Sequence, residues 1–430
     1  MHSADKNRLK AIDNLKNLFT KGDMSAVIPK ALEVIKEYES AIGYNVLALA
    51  HKRLGNYALA QELYEKLLFS NPNNTVFLGN LGNIYNDIGK LDKAEECFKK
   101  SLAIEPKNFN ILVSLGNVFV TNGELDEALL IFKSILKSDD EITNEQLDDI
   151  NYRIGEIYRR KGQPFFDQAI QHYGRSAHAL SSANRLELIY KVKDKTTYCE
   201  EQEKINRKGG SNSLLAAVQT HASIRYEMVD ENLFCKDPFK YIYQSQLTFK
   251  EGFNDDLVES LLKIEASLSS TSQPLINNGY QTAGNFLLSD DPSVTIIKNI
   301  ILKRIKNYRD RYESSKDGFI KKWPDNTLLH GWIINIKRGG SLDSHMHKLG
   351  WLSGSLYLKL KRPLHSNQGN IIFDLDGANY PKASKLFPSK EFSIEKGDII
   401  LFPSSLFHKT VPFESDESRI TLAFDIKPVF

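Results

Sequence analysis

Gly397–Ile426 reads GDIILFPSSLFHKTVPFESDESRITLAFDI. Gly397 opens an apolar run that ends at Pro403, His408 follows five residues later, and Arg419 stands eleven residues beyond His408. This run, FHKTVPF (407–413) and SRITLAFDIKP (418–428) have the composition of short strands. Successive side chains of a strand point to opposite faces, so Arg419 and Thr421 share one face of the last run.

Working outward, the same character extends upstream. LLHGWIINIKR (328–338), SGSLYLKLK (353–361), GNIIFDLD (369–376) and EFSIEKGDIILFP (391–403) are further strand candidates, with turns at Gly339-Gly340, Gly369 and Gly397-Asp398. Several short strands at this spacing predict a barrel or jelly roll. DPFKYIYQSQLTF (237–249) reads as a linker leading into a strand, and NDDLVESLLKIEASLSS (254–270) as an amphipathic helix. DPSVTIIKNIILKRIKNYRDRYESS (291–315) reads as a longer helix, with Asp291 as cap and Pro292 in the first turn. Two helices placed ahead of the strands are expected to brace one sheet from outside. SLDSHMHKLGWLSGSLYL (341–358) carries His345 and His347 two residues apart, hence on one face of a strand. Paired imidazoles there suit a single metal ion; taken alone they are equally two ordinary histidines.

The first half repeats with a period of 34 residues. Ala60, Ala94 and Ala128 obey it, as do Gly55, Gly89 and Gly123, and Leu47, Leu81 and Leu115. Tyr64, Phe98 and Phe132 follow, and Pro72 and Pro106 close two of the units. So many coincident positions resemble the tetratricopeptide repeat, in which two antiparallel helices form a unit and units stack into a solenoid. Clear units span 41–74, 75–108 and 109–142; a looser one follows with Ile154, Gly155, Tyr158, Gly162, Ala169 and Tyr173, and 8–40 reads as a leading cap. The expected organisation is a repeat solenoid over 1–190, a helical connector over 191–240 and a double-stranded β-helix domain over 241–430. The repeat resemblance implies a concave groove for a protein or peptide partner. Asn83 and Asn117, at equivalent positions on the first helices, are candidate contacts.

In the second half, His345-x-His347, the distal His408, and Arg419 with Thr421 two residues on resemble the 2-oxoglutarate/Fe(II)-dependent oxygenases. HMHKLGWLSGSLYLKL, GNIIFDL and GDIILFPSSLFHKTVPFESDESRITLAFDI look like a bacterial and phage group of that family, and the likeness spans about 240 to 430. It implies a double-stranded β-helix in which His345, His347 and His408 hold Fe(II). Arg419, assisted by Thr421, grips the far carboxylate of 2-oxoglutarate, and Tyr357 lines the cofactor pocket. It further implies a dioxygenase that hydroxylates a C–H bond with O2, releasing succinate and CO2. Arginine suits the clamp because its planar fork binds a carboxylate bidentately.

One position departs from the family pattern. His347 occupies the slot where a His-x-Asp pair has its acid, so three neutral imidazoles would leave Fe(II) with its full charge of about +2. Other third ligands remain open: Asp343, Asp374, Asp376 or none. A cupin-type enzyme with a three-histidine metal and no 2-oxoglutarate is a second reading. Against it, the glutamate expected three or four residues after the second histidine is absent, and Trp351 stands there. A repeat scaffold with a non-catalytic barrel is a third. His330 and His365 fit no pattern and read as surface or structural, and Trp332 and Trp351 as roof or core.

Composition narrows the classes. A net charge of +2 with acids and bases interspersed gives no footing for nucleic-acid binding. Cys97, Cys199 and Cys235 are odd in number and far apart, which is neither a disulfide framework nor a zinc-knuckle spacing. MHSADKNRLKAIDNLK lacks the apolar core of a signal peptide, and no run of 18 apolar residues reads as a membrane span. The expected setting is cytoplasmic.

Overall fold

The computed structural model describes residues 3–22, 24–138, 141–268, 270–271, 273–361, 367–377 and 379–429. His365 lies outside them. The contacts divide into two compact units, Met1–Ser176 and Ala177–Phe430.

The first unit is a tetratricopeptide-repeat solenoid. Helices Ala41–Arg53 and Tyr57–Ser70, Thr75–Asp87 and Leu91–Ile104, and Phe109–Asn122 and Leu125–Lys137 form the three clear pairs. Asn144–Arg160 with Phe166–Gly174 forms the looser pair, and Ser3–Lys21 with Met24–Tyr38 leads. Each clear unit starts at a capping side chain: Ser40, Asn74 and Asn108 accept from the backbone N–H groups of Gly43, Phe77 and Ile111 at 3.4, 3.1 and 3.2 Å. Gly55, Gly89 and Gly123 turn the chain between paired helices at φ +80°, +74° and +84°, a backbone that a side chain strains.

Packing explains the small residues. A Cβ on Gly82 would meet the Phe98 ring at 2.6 Å, and one on Gly116 the Phe132 ring at 2.5 Å. Gly155 stands in the same relation to Tyr173, at 2.7 Å. Both Phe98 and Phe132 are fully buried, so neither ring has room to retreat. Gly116→Ala is therefore expected to destabilise the full chain by up to about 2 kcal/mol in a denaturant titration. Overpacking costs about 1–3 kcal/mol and outweighs the roughly 1 kcal/mol of helix propensity gained.

The second unit begins with helices Ser181–Val192, Lys195–Arg207 and Ser213–Tyr226. Ten strands follow among the described residues: β1 (Tyr243–Gln246), β2 (Ser270–Thr271), β3 (Ile276–Thr282), β4 (Thr327–Leu342) and β5 (Leu352–Lys359), then β6 (Ile371–Asp374), β7 (Ser389–Phe392), β8 (Asp398–Pro403), β9 (Phe407–Thr410) and β10 (Arg419–Pro428). They form a seven-stranded sheet, β1-β8-β5-β10-β4-β3-β2, and a three-stranded one, β7-β6-β9. Every pairing is antiparallel, the arrangement of a jelly roll.

β10 sits centrally and shows why the sequence alternates. Ile420, Leu422, Phe424 and Ile426 join Leu257, Leu261, Val294, Ile297 and Ile301 in one apolar core, so helices Asp255–Ser267 and Pro292–Arg311 cover the outer face. The long helix opens as expected, with Asp291 Oδ1 accepting from Ser293 N at 2.7 Å and Pro292 in the first turn. Arg419, Thr421, Ala423 and Asp425 then face inward, opposite Tyr357, Ser355 and Ser353 of β5 beyond Arg419 and opposite Ile334 and Trp332 of β4.

Two strand expectations change. EFSIEKGDIILFP is two strands, β7 in the small sheet and β8 in the large one. Gly397, at φ +89°, turns the chain between them, with Asp398 N–H donating to Glu395 O at 3.1 Å. β3 was not among the candidates, because Asn277, Asn278 and Gly279 interrupt its alternation; its register shifts there, with Asn278 at φ +50°.

Candidate active site

The backbone brings the separated histidines together. His345 lies just past β4, and His408 on β9; their main chains form an antiparallel bridge, N–H to O at 3.1 and 2.9 Å in the two directions. His347 is held by its own N–H to Ser404 O at 3.2 Å. One ring nitrogen from each of the three lies within 4.8 Å of the others, the one such cluster of potential ligands among the described residues.

The side-chain contacts fix which nitrogens converge. Nδ1 of His345 faces Asp343 O at 2.8 Å, Nδ1 of His408 faces Leu406 O at 3.3 Å, and Nδ1 of His347 faces Asp425 Oδ1 at 2.6 Å. An Nδ1 against an oxygen acceptor carries the proton, which leaves a lone pair on each Nε2. Nε2 of His345 and His347 lie 3.2 Å apart. Two lone pairs at that distance repel, and a cation held by both reverses the sign.

Burial keeps the His345 and His408 rings in the ligating form. It pushes the His345 pKa down to about 4, with His347 adding to the effect. His408, only 5% exposed, is pushed well below its ordinary value, first by burial and then by the two neighbouring imidazoles. A neutral imidazole is what a metal ion requires.

A cavity of about 130 Å³ joins the three imidazoles to Arg419, Thr421 and Tyr357. Arg419 is 3% exposed, and no carboxylate pairs with it among the described residues. Its Cζ lies 5.0 Å from the centre of the Tyr357 ring. Arg419 Nε, Thr421 Oγ1 and the Tyr357 hydroxyl are all buried without a hydrogen-bond partner. Burial lowers the Arg419 pKa, yet a guanidinium keeps its proton in proteins. A buried cation beside orphaned hydroxyls is a seat for an anionic oxygen ligand such as a carboxylate.

The alternative acids are elsewhere. Asp343 accepts from Asn277 Nδ2 at 2.7 Å, Asp374 lies 3.9 Å from Lys409, and Asp376 meets His221 Nε2 at 3.2 Å. Trp351 is core, its indole N–H donating to Phe319 O at 2.8 Å, whereas Trp332 lines the cavity, 5.7 Å from His347 ring to ring. In the solenoid, Asn117 accepts from Arg153 Nη1 at 2.7 Å, and Asn83 is half-buried.

Sequence reasoning missed Asp425, Ser353 and Ser404. Ser353 Oγ donates to Asp425 Oδ1 at 2.7 Å and lies 2.7 Å from Ser404 Oγ and 3.1 Å from His347 Nδ1. Burial opposes the Asp425 charge, but His347 and the hydrogen bonds from His347 and Ser353 hold its carboxyl below the ordinary value. A signal existed: Asp425 continues the two-residue series that begins at Arg419 and Thr421.

The family described as "Putative 2OG-Fe(II) oxygenase" matches residues 330–425, and tetratricopeptide-repeat families match 41–74 and 76–108. The chain joins tetratricopeptide repeats to a 2OG-Fe(II)-oxygenase-type stretch. That stretch runs from β4 to β10 and holds all three histidines and Arg419. No curated protein matches the chain. Similar solved structures include pilF of Pseudomonas aeruginosa, at 17% identity over 50% of this chain and 97% of that one, with a TM-score of 0.40. A tetratricopeptide-repeat protein of Parabacteroides merdae shows 15% identity over 52% and 88%, with a TM-score of 0.38. MamA of Desulfovibrio magneticus shows 16% over 41% and 94%, with a TM-score of 0.34.

Proposed function

We propose that the protein is a 2-oxoglutarate- and Fe(II)-dependent dioxygenase that hydroxylates a C–H bond of a protein, peptide or small-molecule substrate. Bound Fe(II) with 2-oxoglutarate and O2 would supply the oxidising power, with succinate and CO2 as coproducts. The observation that supports the reading is the pairing of three converging imidazole nitrogens with a buried Arg419, free of a carboxylate partner among the described residues, in one cavity.

Each residue has a separate task. His345, His347 and His408 hold the metal ion through Nε2, their tautomers set by the oxygens behind them. Arg419 takes the far carboxylate of 2-oxoglutarate, with Thr421 Oγ1 and the Tyr357 hydroxyl donating to it. Ile334, Ile371 and Ala423 line the cavity with apolar surface and keep water from the reacting groups. Trp332 flanks the space left for substrate. The cupin-type alternative gives Arg419 nothing to bind.

Repeats of this kind mediate protein–protein contacts, which favours a protein or peptide partner bound in the solenoid groove, with Asn83 and Asn117 as contacts. No helix among the described residues is long and apolar enough to cross a membrane, and the three cysteines are free thiols, which supports a cytoplasmic setting.

The test is succinate production. Purified protein with Fe(II), 2-oxoglutarate and O2 is expected to convert 2-oxoglutarate to succinate slowly by itself. A panel of peptides, amino acids and small metabolites should contain one that raises the rate at least about tenfold. Metal binding with no succinate under any condition would contradict the reading.

A further inference from the structure

Asp425 is a buried carboxylate held against one ring of the histidine triad. It is 3% exposed on the central strand of the large sheet. Its hydrogen-bond partners are His347 Nδ1 at 2.6 Å and Ser353 Oγ at 2.7 Å, and neither a lysine nor an arginine pairs with it among the described residues. A carboxylate in a protein interior loses its hydration, so the few groups that face it fix where it points.

The seat is built closely. Ser353 is fully buried and bridges Asp425 to Ser404, itself 1% exposed. Gly350 closes over the pair: a Cβ there would meet Ser404 Oγ at 2.4 Å and the Asp425 carboxyl carbon at 3.3 Å. The carboxylate therefore points at the His347 ring and has little room to swing away.

Two features match. The triad slot that His-x-Asp fills with a carboxylate holds His347, and one imidazole ring away stands the buried carboxylate of Asp425. We infer that Asp425 supplies, through His347, the negative charge that the histidine triad lacks, so that the carboxylate of this site sits one residue outside the ligand set. This rests on the metal reading above. Asp425 is a positioning residue: it touches neither metal nor substrate, but fixes the His347 tautomer and lowers the net charge felt at Nε2. A carboxylate behind a ligating imidazole raises the ligand's basicity, and removing such a partner typically costs about 10- to 100-fold in metal affinity.

The experiment compares the full-length wild type with Asp425→Asn and Ser353→Ala, each titrated anaerobically with Fe(II) and measured for the Fe(III)/Fe(II) midpoint potential. Asparagine keeps an oxygen opposite Nδ1 and removes only the charge. Asp425→Asn is expected to weaken Fe(II) about 10- to 100-fold, raise the potential, and melt no lower than the wild type without metal. Ser353→Ala, which keeps the charge, should shift both quantities less. If the wild type binds one Fe(II) per chain and Asp425→Asn matches it in affinity and potential, the inference is wrong while the metal reading stands. A metal-free Asp425→Asn that melts well below the wild type, with unchanged potential, marks a purely structural role and also overturns it. A wild type that binds no Fe(II) overturns both.

Discussion

Replacing Arg419 by methionine is expected to abolish measurable 2-oxoglutarate binding while leaving Fe(II) affinity within a few-fold of the wild type. The guanidinium is buried, and a bound carboxylate would be its strong partner. Removing one member of such a pair costs about 3–5 kcal/mol, which is roughly two to three and a half orders of magnitude in Kd. The same change has an opposite effect on the empty protein. There Arg419 is a desolvated cation with an unpartnered Nε, so an apolar side chain of similar reach should raise the melting temperature. The two signs together are diagnostic. A clamp residue gives a more stable empty protein that 2-oxoglutarate no longer stabilises. A residue that merely supports the barrel gives a less stable protein with binding intact. Arg419→Lys keeps the charge but loses the fork, and should fall between.

The second large effect is expected at His408. His408→Ala should lower Fe(II) affinity by at least about two orders of magnitude and remove all succinate production. Structural zinc sites gain about 10–16 kcal/mol from four ligands, or roughly 3 kcal/mol for each. His408 also anchors the His345 backbone, but through its own N–H and C=O, which alanine retains. The loss should therefore be confined to the metal, with the far-UV spectrum unchanged. His51→Ala is the control. His51 lies on helix Ala41–Arg53 of the solenoid and takes no part in the cavity, so its loss should leave metal affinity unaltered.

The solenoid was legible because its packing is local and periodic: a glycine such as Gly116 meets Phe132 sixteen residues later, and the pair recurs every 34 residues. The two histidine groups and Arg419 stood out in the sequence through the family resemblance of their order and spacing, and one cavity joins them. The carboxylate did not stand out. The acids weighed for the His347 slot were Asp343 nearby and Asp374 and Asp376 further on, whereas the one that reaches His347 is 78 residues away in the chain. Its place depends on the register that sets Asp425 opposite Ser353 and on the turn that brings Ser404 beneath them. Neither is written in any short stretch of sequence. β3 escaped for a different reason, since a bulge at Asn278 breaks the alternation that marks a strand.

The most direct test of the account is an anaerobic optical titration of the Fe(II)-loaded full-length protein with 2-oxoglutarate. The account predicts a weak visible charge-transfer band that saturates at one equivalent per chain. It should be missing from His408→Ala for want of metal, and from Arg419→Met despite bound metal. Fe(II) held in stoichiometric amount with no band at any 2-oxoglutarate concentration, or a band of equal strength in Arg419→Met, would contradict it.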